Sequence, residues 1–244
     1  MITLYNQGGA DGPTNMARDE ALLHAATGVA LRLYTWSPPC LSLGLFQNAA
    51  TVRQTAPSGV TMVRRITGGG TIYHIHEVTY ALVAGLGEHG MPQRLRDCYS
   101  LLHGAIMKAL LRHGGASLAL QDSTVGDRRY EQEPRCFASP AAGDIIHPQG
   151  GKTLGSAGRN RQGRFLIHGS LKLASNPWDG DAVQGCGCNQ EQAQQALIDG
   201  IAQLMGLTVQ DCPWPDHLET LSASIREQRY GDAGWVERRE GPRP

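Results

Sequence analysis

The stretch RRITGGGTIYH, residues 64–74, decides how the fold of this chain is interpreted. Apolar, strand-like residues precede it at 60–63, its own last residues look extended, and a second extended run occupies 77–83. Three consecutive glycines have no side chain to pack, which is typical of a place where the backbone approaches a ligand closely. The two arginines supply forked donors suited to phosphate or carboxylate groups. Taken alone, the stretch also fits a glycine-rich hairpin with a solvated arginine pair.

Two later stretches change this interpretation. The sequence GKTLGSAGR occupies residues 151–159, and GRFLIHGSL occupies residues 163–171. Together with the first stretch they resemble the catalytic domain of the lipoate–protein ligase and octanoyltransferase family, relatives of the biotin protein ligases. That family has an RRxxGGGxxxH loop, a GxKxxGSA strand and an HGS strand, and all three occur here in that order. Residues 15–23 and 41–47 resemble its opening helix and second strand, so the resemblance covers roughly residues 1–175.

The resemblance assigns a catalytic role to Lys152, which spacing alone would interpret as a solvated charge. A lysine ammonium in a dry pocket polarises an acyl carbonyl and stabilises the oxyanion that forms on attack. Burial also lowers a lysine pKa, which makes a role as a base available. By the same resemblance, the substrate-binding residues are Arg64, Arg65, Gly68, Gly69, Gly70, His74, Gly155, Ser156, Ala157, His168, Gly169 and Ser170.

Cys136 is the predicted nucleophile. Most free cysteines are buried, inert, small apolar residues, but this one follows a polar segment at 121–134 that predicts a long mobile loop. Its surroundings, CFASPAAGDII, resemble the CFxxPxxxD/E segment of the cysteine-dependent octanoyltransferases, in which the thiol accepts the acyl group as a thioester. A thiolate exchanges thioesters readily. We expect Lys152 or Arg135 to lower the pKa of the thiol.

The remaining motif residues receive supporting roles. We expect His74 and His168 to shape the acyl pocket and fix the glycine-rich loop rather than to relay protons. Arg64 and Arg65 either orient a phosphate or pair with acidic side chains, and the sequence leaves both open. Gly158 replaces a glutamine that is common in the family, which puts the pocket shape and the chain-length preference in question.

The function implied by the resemblance is an octanoyl-[acyl-carrier-protein]:protein octanoyltransferase without a cofactor. It would move an octanoyl group from the carrier through Cys136 to a lysine of a lipoyl domain, in a 2-oxoacid dehydrogenase or the glycine-cleavage H protein. The alternatives are an ATP-dependent lipoate–protein ligase, which would use ATP and Mg, and a non-catalytic lipoyl-domain-binding protein; biotin ligation fits less well. Cys136 and the short region after the HGS strand favour the transferase.

Composition excludes several other classes. The 244 residues carry 22 basic and 22 acidic side chains, which argues against a nucleic-acid or membrane-surface partner. We expect no membrane span and no signal peptide, and therefore a cytoplasmic protein. Six cysteines are too irregularly spaced for a disulfide framework, and the pair Cys186 and Cys188 lacks a second pair for zinc, so no metal is predicted.

The pattern of elements predicts an α+β fold with one catalytic domain over residues 1–235 and a disordered tail at 236–244. Strands that cluster without strict βαβ alternation indicate a mixed sheet flanked by helices, and the resemblance implies a core like that of class II synthetases and biotin protein ligases. Predicted helices lie near 15–26, 48–55, 92–113, 189–206 and 214–229. Predicted strands lie near 29–36, 41–46, 60–65, 77–83, 116–120, 144–147, 152–158 and 164–173.

Overall fold

An eight-stranded mixed sheet forms the centre of the protein in a computed structural model that describes residues 1–126 and 130–240. Its strands, with those of a second, smaller sheet, are β1 (Ile2–Ala10), β2 (Val29–Trp36), β3 (Cys40–Leu43), β4 (Thr61–Arg64), β5 (Ile72–His74), β6 (Glu77–Gly85), β7 (Ala119–Leu120), β8 (Ile145–Ile146), β9 (Lys152–Arg161), β10 (Arg164–Lys172) and β11 (Val209–Asp211). The helices are α1 (Gly12–Ala25), α2 (Ala49–Thr55), α3 (Leu95–Arg112), α4 (Gln190–Met205), α5 (Asp216–Ile225) and α6 (Ala233–Arg238).

The strand order of the large sheet is β11-β1-β2-β6-β10-β9-β8-β7. Strand β1 pairs in parallel with β11 and β2, whereas the neighbours from β2 to β7 are antiparallel. Strands β9 and β10 form a hairpin in which Ser156 faces Gly169. The GSA and HGS motifs therefore lie side by side in the middle of the sheet.

Helices cover both faces of the large sheet and make two cores. Helices α3 and α4 pack on one face, over buried side chains such as Leu154 and Ile167. Helices α1 and α5 pack on the other face, where Leu22 and Leu166 are fully buried. The predicted α+β fold with a mixed sheet flanked by helices is confirmed.

The small sheet has the order β4-β3-β5 and carries the glycine-rich loop between two of its strands. Strand β3 pairs in parallel with β4 and antiparallel with β5. Because β4 and β5 flank the same central strand, the connection between them, residues 65–71, must turn back over one end of β3. This connection contains the three glycines.

The structure differs from the sequence-based expectation at both ends of the chain. Strands β1 and β11 were not predicted, and they extend the sheet on its far edge. The predicted disordered tail begins too early, because α6 runs to Arg238 and Val236 is buried; residues 241–244 lie outside the described residues. The predicted loop at 121–134 contains no helix or strand in its described parts, 121–126 and 130–134.

Candidate active site

The first arginine of the glycine-rich motif ties the loop to the last helix. Arg64 is buried and donates to the carbonyl oxygens of Trp235, at 3.1 Å, and Val236, at 2.9 Å. Its Nη1 atom donates to carbonyls in the turn after β3, including that of Gln47 at 2.7 Å, and its Nη2 atom donates again to Val236. Backbone carbonyls, and not acidic side chains or a substrate phosphate, therefore occupy this guanidinium, which corrects both predicted roles.

The second arginine holds the glycines in place from inside. The Arg65 guanidinium donates to the carbonyl oxygens of Gly68, at 2.7 Å, and Gly70, at 2.8 Å. It also donates to the carbonyl oxygen of Ser42 at 2.7 Å, and the side chain is buried. Five donors in a rigid fork suit this task, since a lysine could not reach both loop carbonyls and β3 in one plane. Arg65 is paired internally with carbonyls.

Cys136 is attached directly to the end of the glycine-rich loop. Its amide donates to the carbonyl oxygen of Thr71 at 2.8 Å, and the amide of Thr71 donates to the carbonyl of Pro134 at 2.7 Å. A side chain on Gly70 would place its Cβ 2.9 Å from the Cα of Cys136. Glycine is required there because the two backbones approach too closely for any Cβ. The structure thus brings the cysteine segment and the first motif together.

Lys152 lies beside Cys136, as the first residue of β9. Its ammonium nitrogen is 3.4 Å from the Cys136 sulfur and 2.8 Å from a carboxylate oxygen of Asp144. The lysine is 2% exposed and Cys136 is 9% exposed, so both groups are largely withdrawn from water. The lysine side chain lies over Gly155, where a Cβ would collide with it. The GxKxxGSA spacing therefore leaves room for the lysine to fold back along its own strand.

The charge balance around Lys152 keeps it protonated. Burial by itself lowers the pKa of the Lys152 ammonium, but the neighbouring Cys136 thiolate and Asp144 carboxylate outweigh burial and raise that pKa above its ordinary value. The expectation that burial frees Lys152 to act as a base is therefore wrong in sign. What the geometry offers is a fixed cation beside a thiol, which suits oxyanion stabilisation.

Arg135, the other cation expected to act on the thiol, faces elsewhere. Its guanidinium forms two hydrogen bonds with the Glu133 carboxylate, at 2.7 and 2.8 Å, and a third with the carbonyl of Trp178. Glu133, two residues earlier, and the distant Trp178 carbonyl thus hold a partly exposed guanidinium.

The two motif histidines connect the loops to the sheet. The Nε2 atom of His168 lies 2.7 Å from the hydroxyl of Thr67, in the glycine-rich loop, and its Nδ1 lies 2.9 Å from Asp19 on α1. His74 bridges Ser42, at 2.7 Å, and Glu77, at 2.6 Å. Burial lowers the pKa of His74 to about 4, so this imidazole is neutral at pH 7.

An inner cavity of about 20 Å³ lies close to this constellation, between the large and small sheets. Its lining includes Met16, Tyr34, Trp36, Ile72, Ala157 and Gly169. Ile72 also packs against Cys136 and so connects the lining of the cavity to the thiol.

The polar side chains of the inner cavity are bonded to one another. Ser42 is shared by His74 and Arg65, and Ser170 donates to Glu77 at 2.5 Å. The hydroxyl of Thr79 accepts from the Trp36 indole at 2.8 Å. Because the hydrogen bonds of these groups are made among themselves, a ligand would meet their carbon atoms rather than unpaired donors. The lining of the cavity therefore suits an apolar chain.

A second space, the mouth pocket, lies on the other side of Ala157 and is lined by Gly68, Gly69, Tyr99, Asp144, Ser156 and Gly158. It has a volume of about 240 Å³ and is lined in part by Asp144, the partner of Lys152. The absence of a side chain at Gly158 enlarges this pocket, since a Cβ there would lie 3.0 Å from the Tyr99 hydroxyl. The glycine that replaces the family's glutamine at position 158 thus affects the mouth pocket and not the inner cavity.

Sequence reasoning missed the acidic residues that organise the site. Asp144 stands in the quoted cysteine segment, and its position there was the available signal. Asp19 gave no signal, although it binds His168, Tyr34 and Arg32 at 2.7–2.9 Å. Glu77, three residues after His74, contacts that imidazole at 2.6 Å.

The CxC pair lies outside the site. Cys186 and Cys188 are buried among the side chains under α3 and α4, and burial raises the pKa of the Cys186 thiol to about 12. Within residues 1–126 and 130–240, no group of three or more His, Cys, Asp or Glu side chains is placed to hold a metal ion. In the same part of the chain, no helix is long and apolar enough to cross a bilayer.

The chain is similar to proteins of known family. Residues 11–206 match the model of the lipoyl protein ligase A/B catalytic domain. Octanoyltransferase LipM of Moorella thermoacetica is 37% identical over 187 residues, which cover 74% of this chain and 68% of the relative. Octanoyltransferase LipM of Kyrpidia tusciae is 29% identical over 238 residues, which cover 83% and 86%.

A solved structure shows the same fold. Protein Ta0514 of T. acidophilum, described as a putative lipoate protein ligase with bound lipoic acid, superposes with a TM-score of 0.78, an identity of 18% and coverage of 97% of each chain. At this identity the likeness concerns the fold alone. Because the family model matches most of the chain, this protein belongs to the lipoyl protein ligase A/B catalytic-domain family.

Proposed function

We propose that this protein is an octanoyltransferase of lipoate biosynthesis, which moves an octanoyl group through a thioester on Cys136 to a lysine of a lipoyl domain. The observation that carries the proposal is the buried Lys152 ammonium 3.4 Å from the Cys136 sulfur, a fixed cation beside a largely buried thiol. The octanoyltransferase names of its relatives support the same activity. An octanoyl group on an acyl carrier protein is the proposed donor.

In the first half-reaction, the Cys136 thiolate attacks the thioester carbonyl of the donor. The carbonyl oxygen becomes an oxyanion, which the Lys152 ammonium stabilises as it forms. When the intermediate collapses, the donor sulfur leaves as a thiolate and the octanoyl group remains on Cys136. One thioester has replaced another, so the step needs no nucleotide.

In the second half-reaction, the neutral amine of the acceptor lysine attacks the Cys136 thioester. The same ammonium again meets the oxyanion, the C–S bond breaks, and the amine nitrogen loses a proton as the amide forms. Cys136 leaves as a thiolate beside Lys152, which favours its departure electrostatically. Asp144, 2.8 Å from Lys152, holds the cation in place through both steps.

Intact mass spectrometry tests the proposal. The purified protein is incubated with octanoyl-carrier protein and apo-lipoyl domain, with and without ATP and free octanoate or lipoate. We expect octanoylated lipoyl domain without a nucleotide. Modification that requires ATP and a free acid would instead identify a ligase.

The nucleophile is tested by omitting the acceptor. We expect one octanoyl adduct on the protein, mapping to Cys136 and released by neutral hydroxylamine. The Cys136→Ser protein should form no such adduct and transfer no detectable octanoyl group, because a serine alkoxide is far harder to generate. Cys212→Ser is the matched control and should react like the parent protein. An adduct on Cys186 or Cys188 would assign the nucleophile elsewhere.

A further inference from the structure

We infer that an uncharged apolar rim beside the mouth pocket, formed by Phe46 and Val125, is the surface on which the acceptor lipoyl domain docks. This inference rests on the proposed octanoyl transfer and adds the contact by which the acceptor protein is recognised. Neither residue belongs to the three sequence motifs or to the segment that begins at the nucleophile.

Both side chains of the rim are apolar and exposed to solvent. Phe46 is 76% exposed and Val125 is 52% exposed, which places them among the five exposed large apolar side chains in the part of the chain that the structure describes. The other three are Met1 at the chain end and Leu101 and Leu111 on α3. A single exposed apolar residue is ordinary, whereas two beside one opening are typical of an interaction site.

Phe46 is held next to one side of the mouth pocket. It lies in the turn after β3, two residues after Gly44, whose backbone packs so closely on Gly69 that a Cβ would lie 1.9 Å from the Gly69 carbonyl oxygen. Gly69 lines the mouth pocket. Arg64 donates to three backbone carbonyls of this turn, so Phe46 is presented from a fixed backbone. Such an anchor loses little conformational freedom when a partner binds.

Val125 lies beside a second stretch of the same pocket. Its amide donates to the carbonyl oxygen of Pro140 at 2.9 Å, and the hydroxyl of Thr124 accepts from the amide of Ala142 at 3.1 Å. Ala142 and its neighbour Ala141 line the mouth pocket. The two exposed side chains therefore stand at the same opening on separate segments of the chain.

The rim and the adjoining lining carry no charge. Residues 44–50, 123–126 and 138–143 include no Asp, Glu, Lys or Arg. A partner held mainly by its charge would need opposite charges around the opening, whereas an uncharged apolar rim fits a neutral patch on a folded protein. The rim is therefore suited to burial of apolar surface.

The reach of the two substrate groups selects the acceptor over the donor. In the proposed reaction, the carrier presents its thioester on a long prosthetic arm, which keeps the carrier itself away from Cys136. The acceptor presents an amine on a four-carbon stem. The cysteine segment is close to Phe46, since the side chain of Gln47 donates to the carbonyl of Pro134 at 2.9 Å. A lipoyl domain whose lysine reaches Cys136 therefore brings its surface up to the rim.

Separate measurement of the two half-reactions tests the inference. Protein carrying the Cys136 thioester is freed of donor and mixed with increasing concentrations of apo-lipoyl domain, and transfer is followed by intact mass. Phe46→Ala should raise the lipoyl-domain concentration at half-maximal rate by about tenfold or more, because truncation of an aromatic anchor in an interface has an effect of this size. Val125→Ser should raise it by a smaller factor.

Two other measurements on these variants should not change. Loading of Cys136 from octanoyl-carrier protein should match the parent, since the carrier does not contact the rim. Transfer from the thioester to a small amine, Nα-acetyl-lysine methylamide, should also match the parent, because this acceptor has no surface to dock.

Matched variants make the result specific. Phe46→Tyr keeps the ring and should use the lipoyl domain like the parent. Leu111→Ala removes a side chain that is 59% exposed but lies about 18 Å along α3 from Tyr99, the residue of that helix that lines the mouth pocket. It should leave both half-reactions unchanged. Thermal unfolding checks that each variant is folded.

The outcomes separate the two proposals. If the parent protein forms no octanoyl thioester, the proposed function fails. If the thioester forms and both rim variants use the lipoyl domain like the parent, only the docking inference fails. Three further results would also overturn it: a loss confined to loading, which assigns the rim to the carrier; an equal loss with the small amine, which places Phe46 in the site itself; and a parent dimer that Phe46→Ala dissociates in sedimentation, which assigns the rim to a second copy of the chain.

Discussion

Two lysines lie at the same distance from one phenylalanine ring, and their surroundings differ. The ammonium groups of Lys152 and Lys172 are each 5.1 Å from the ring centroid of Phe137, and both side chains are buried. Lys172 donates to the carboxylate of Glu77 and to a backbone carbonyl at the end of β5. Lys152 has a carboxylate as well, but its second partner is the Cys136 sulfur.

The comparison shows that burial alone does not make a lysine catalytic. Glu77 also accepts from Ser170 and contacts His74, so Lys172 belongs to a closed network whose charges are neutralised inside the protein. In the proposed mechanism, the second partner of Lys152, the Cys136 sulfur, changes charge when it is acylated. We therefore expect replacement of Lys152 to affect the rate of transfer, and replacement of Lys172 to affect stability.

The largest expected effect is that of Lys152→Ala. Removal of a donor aimed at a developing oxyanion lowers the rate by on the order of 100- to 1000-fold. The fold should remain, as judged by circular dichroism and thermal unfolding. Activity within a few-fold of the parent protein would show that Lys152 is as structural as Lys172.

Lys172→Met is the corresponding variant of the second lysine, and we expect it to lower stability. It leaves Glu77 as a buried charge with less compensation, and the breaking of a buried pair costs roughly 3–5 kcal/mol of unfolding free energy. Urea unfolding should show this loss, while the folded fraction keeps a transfer rate within a few-fold of the parent. A loss of rate as large as that of Lys152→Ala would remove the distinction between the two lysines.

The second prediction concerns the loop that carries the thiol segment. Gly70→Ala places a Cβ 2.5 Å from the Tyr130 ring and 2.9 Å from the Cα of Cys136, so we expect the Cys136 segment to shift relative to Lys152. A displacement of about 1 Å costs on the order of 100-fold in rate. Gly68→Ala is the matched control, because nothing lies within 4 Å of its Cβ. Equal thioester formation by the two variants would show that the loop does not position Cys136.

Asp144→Asn should have a smaller effect and a distinct pH dependence. The carboxylate helps to raise the pKa of Lys152, and an amide of the same shape does not. Lys152 should then lose its proton at lower pH, so the alkaline limb of the transfer rate should move to lower pH, with a loss on the order of tenfold where one pKa unit is lost. An unchanged alkaline limb would show that Asp144 does not act through Lys152.

The last prediction concerns protein stability and His74, which contacts Glu77, the carboxylate partner of Lys172. Its folded-state pKa is lowered from the ordinary 6.5 to about 4, so between these values the unfolded chain binds the proton more tightly. Stability should therefore be complete above pH 6.5 and fall as the pH decreases towards 4. Urea midpoints across this range should show a shallower slope for His74→Gln, whereas exposed His89→Gln should match the parent.

Local sequence patterns were sufficient for the elements whose side chains alternate or repeat clearly. Strand β2 was predicted with its observed ends, and β9 and β10 within a few residues. The edge strand β1 was missed because Gln7, Gly8 and Gly9 interrupt its apolar alternation. Strand β11 has only three residues and exists because it pairs with β1, which no local pattern reveals.

The candidate site was predictable where its residues belong to motifs and not where they meet through the fold. The family resemblance pointed to Cys136 and Lys152, but their 3.4 Å separation depends on how residues 134–136 attach to Thr71. The sign of the pKa change of Lys152 depends on the Cys136 sulfur and then on Asp144, which the pairing of β8 with β9 brings close. Burial could be anticipated from the sequence, whereas its electrostatic compensation could not.

The hydrogen bonds between Arg64 and α6 also bear on the order in which contacts form while the protein is being synthesised. Arg64 and Trp235 exchange hydrogen bonds in both directions across a separation of 171 residues. On a ribosome, the strand that leads into the glycine-rich loop is made long before its partner helix. Until that helix emerges, the Arg64 guanidinium has only the carbonyls of the turn after β3 and lacks those of α6. Such a nascent chain carries the motifs before β4 is tied to its C-terminal helix, so we expect the site to be complete only once translation has passed α6.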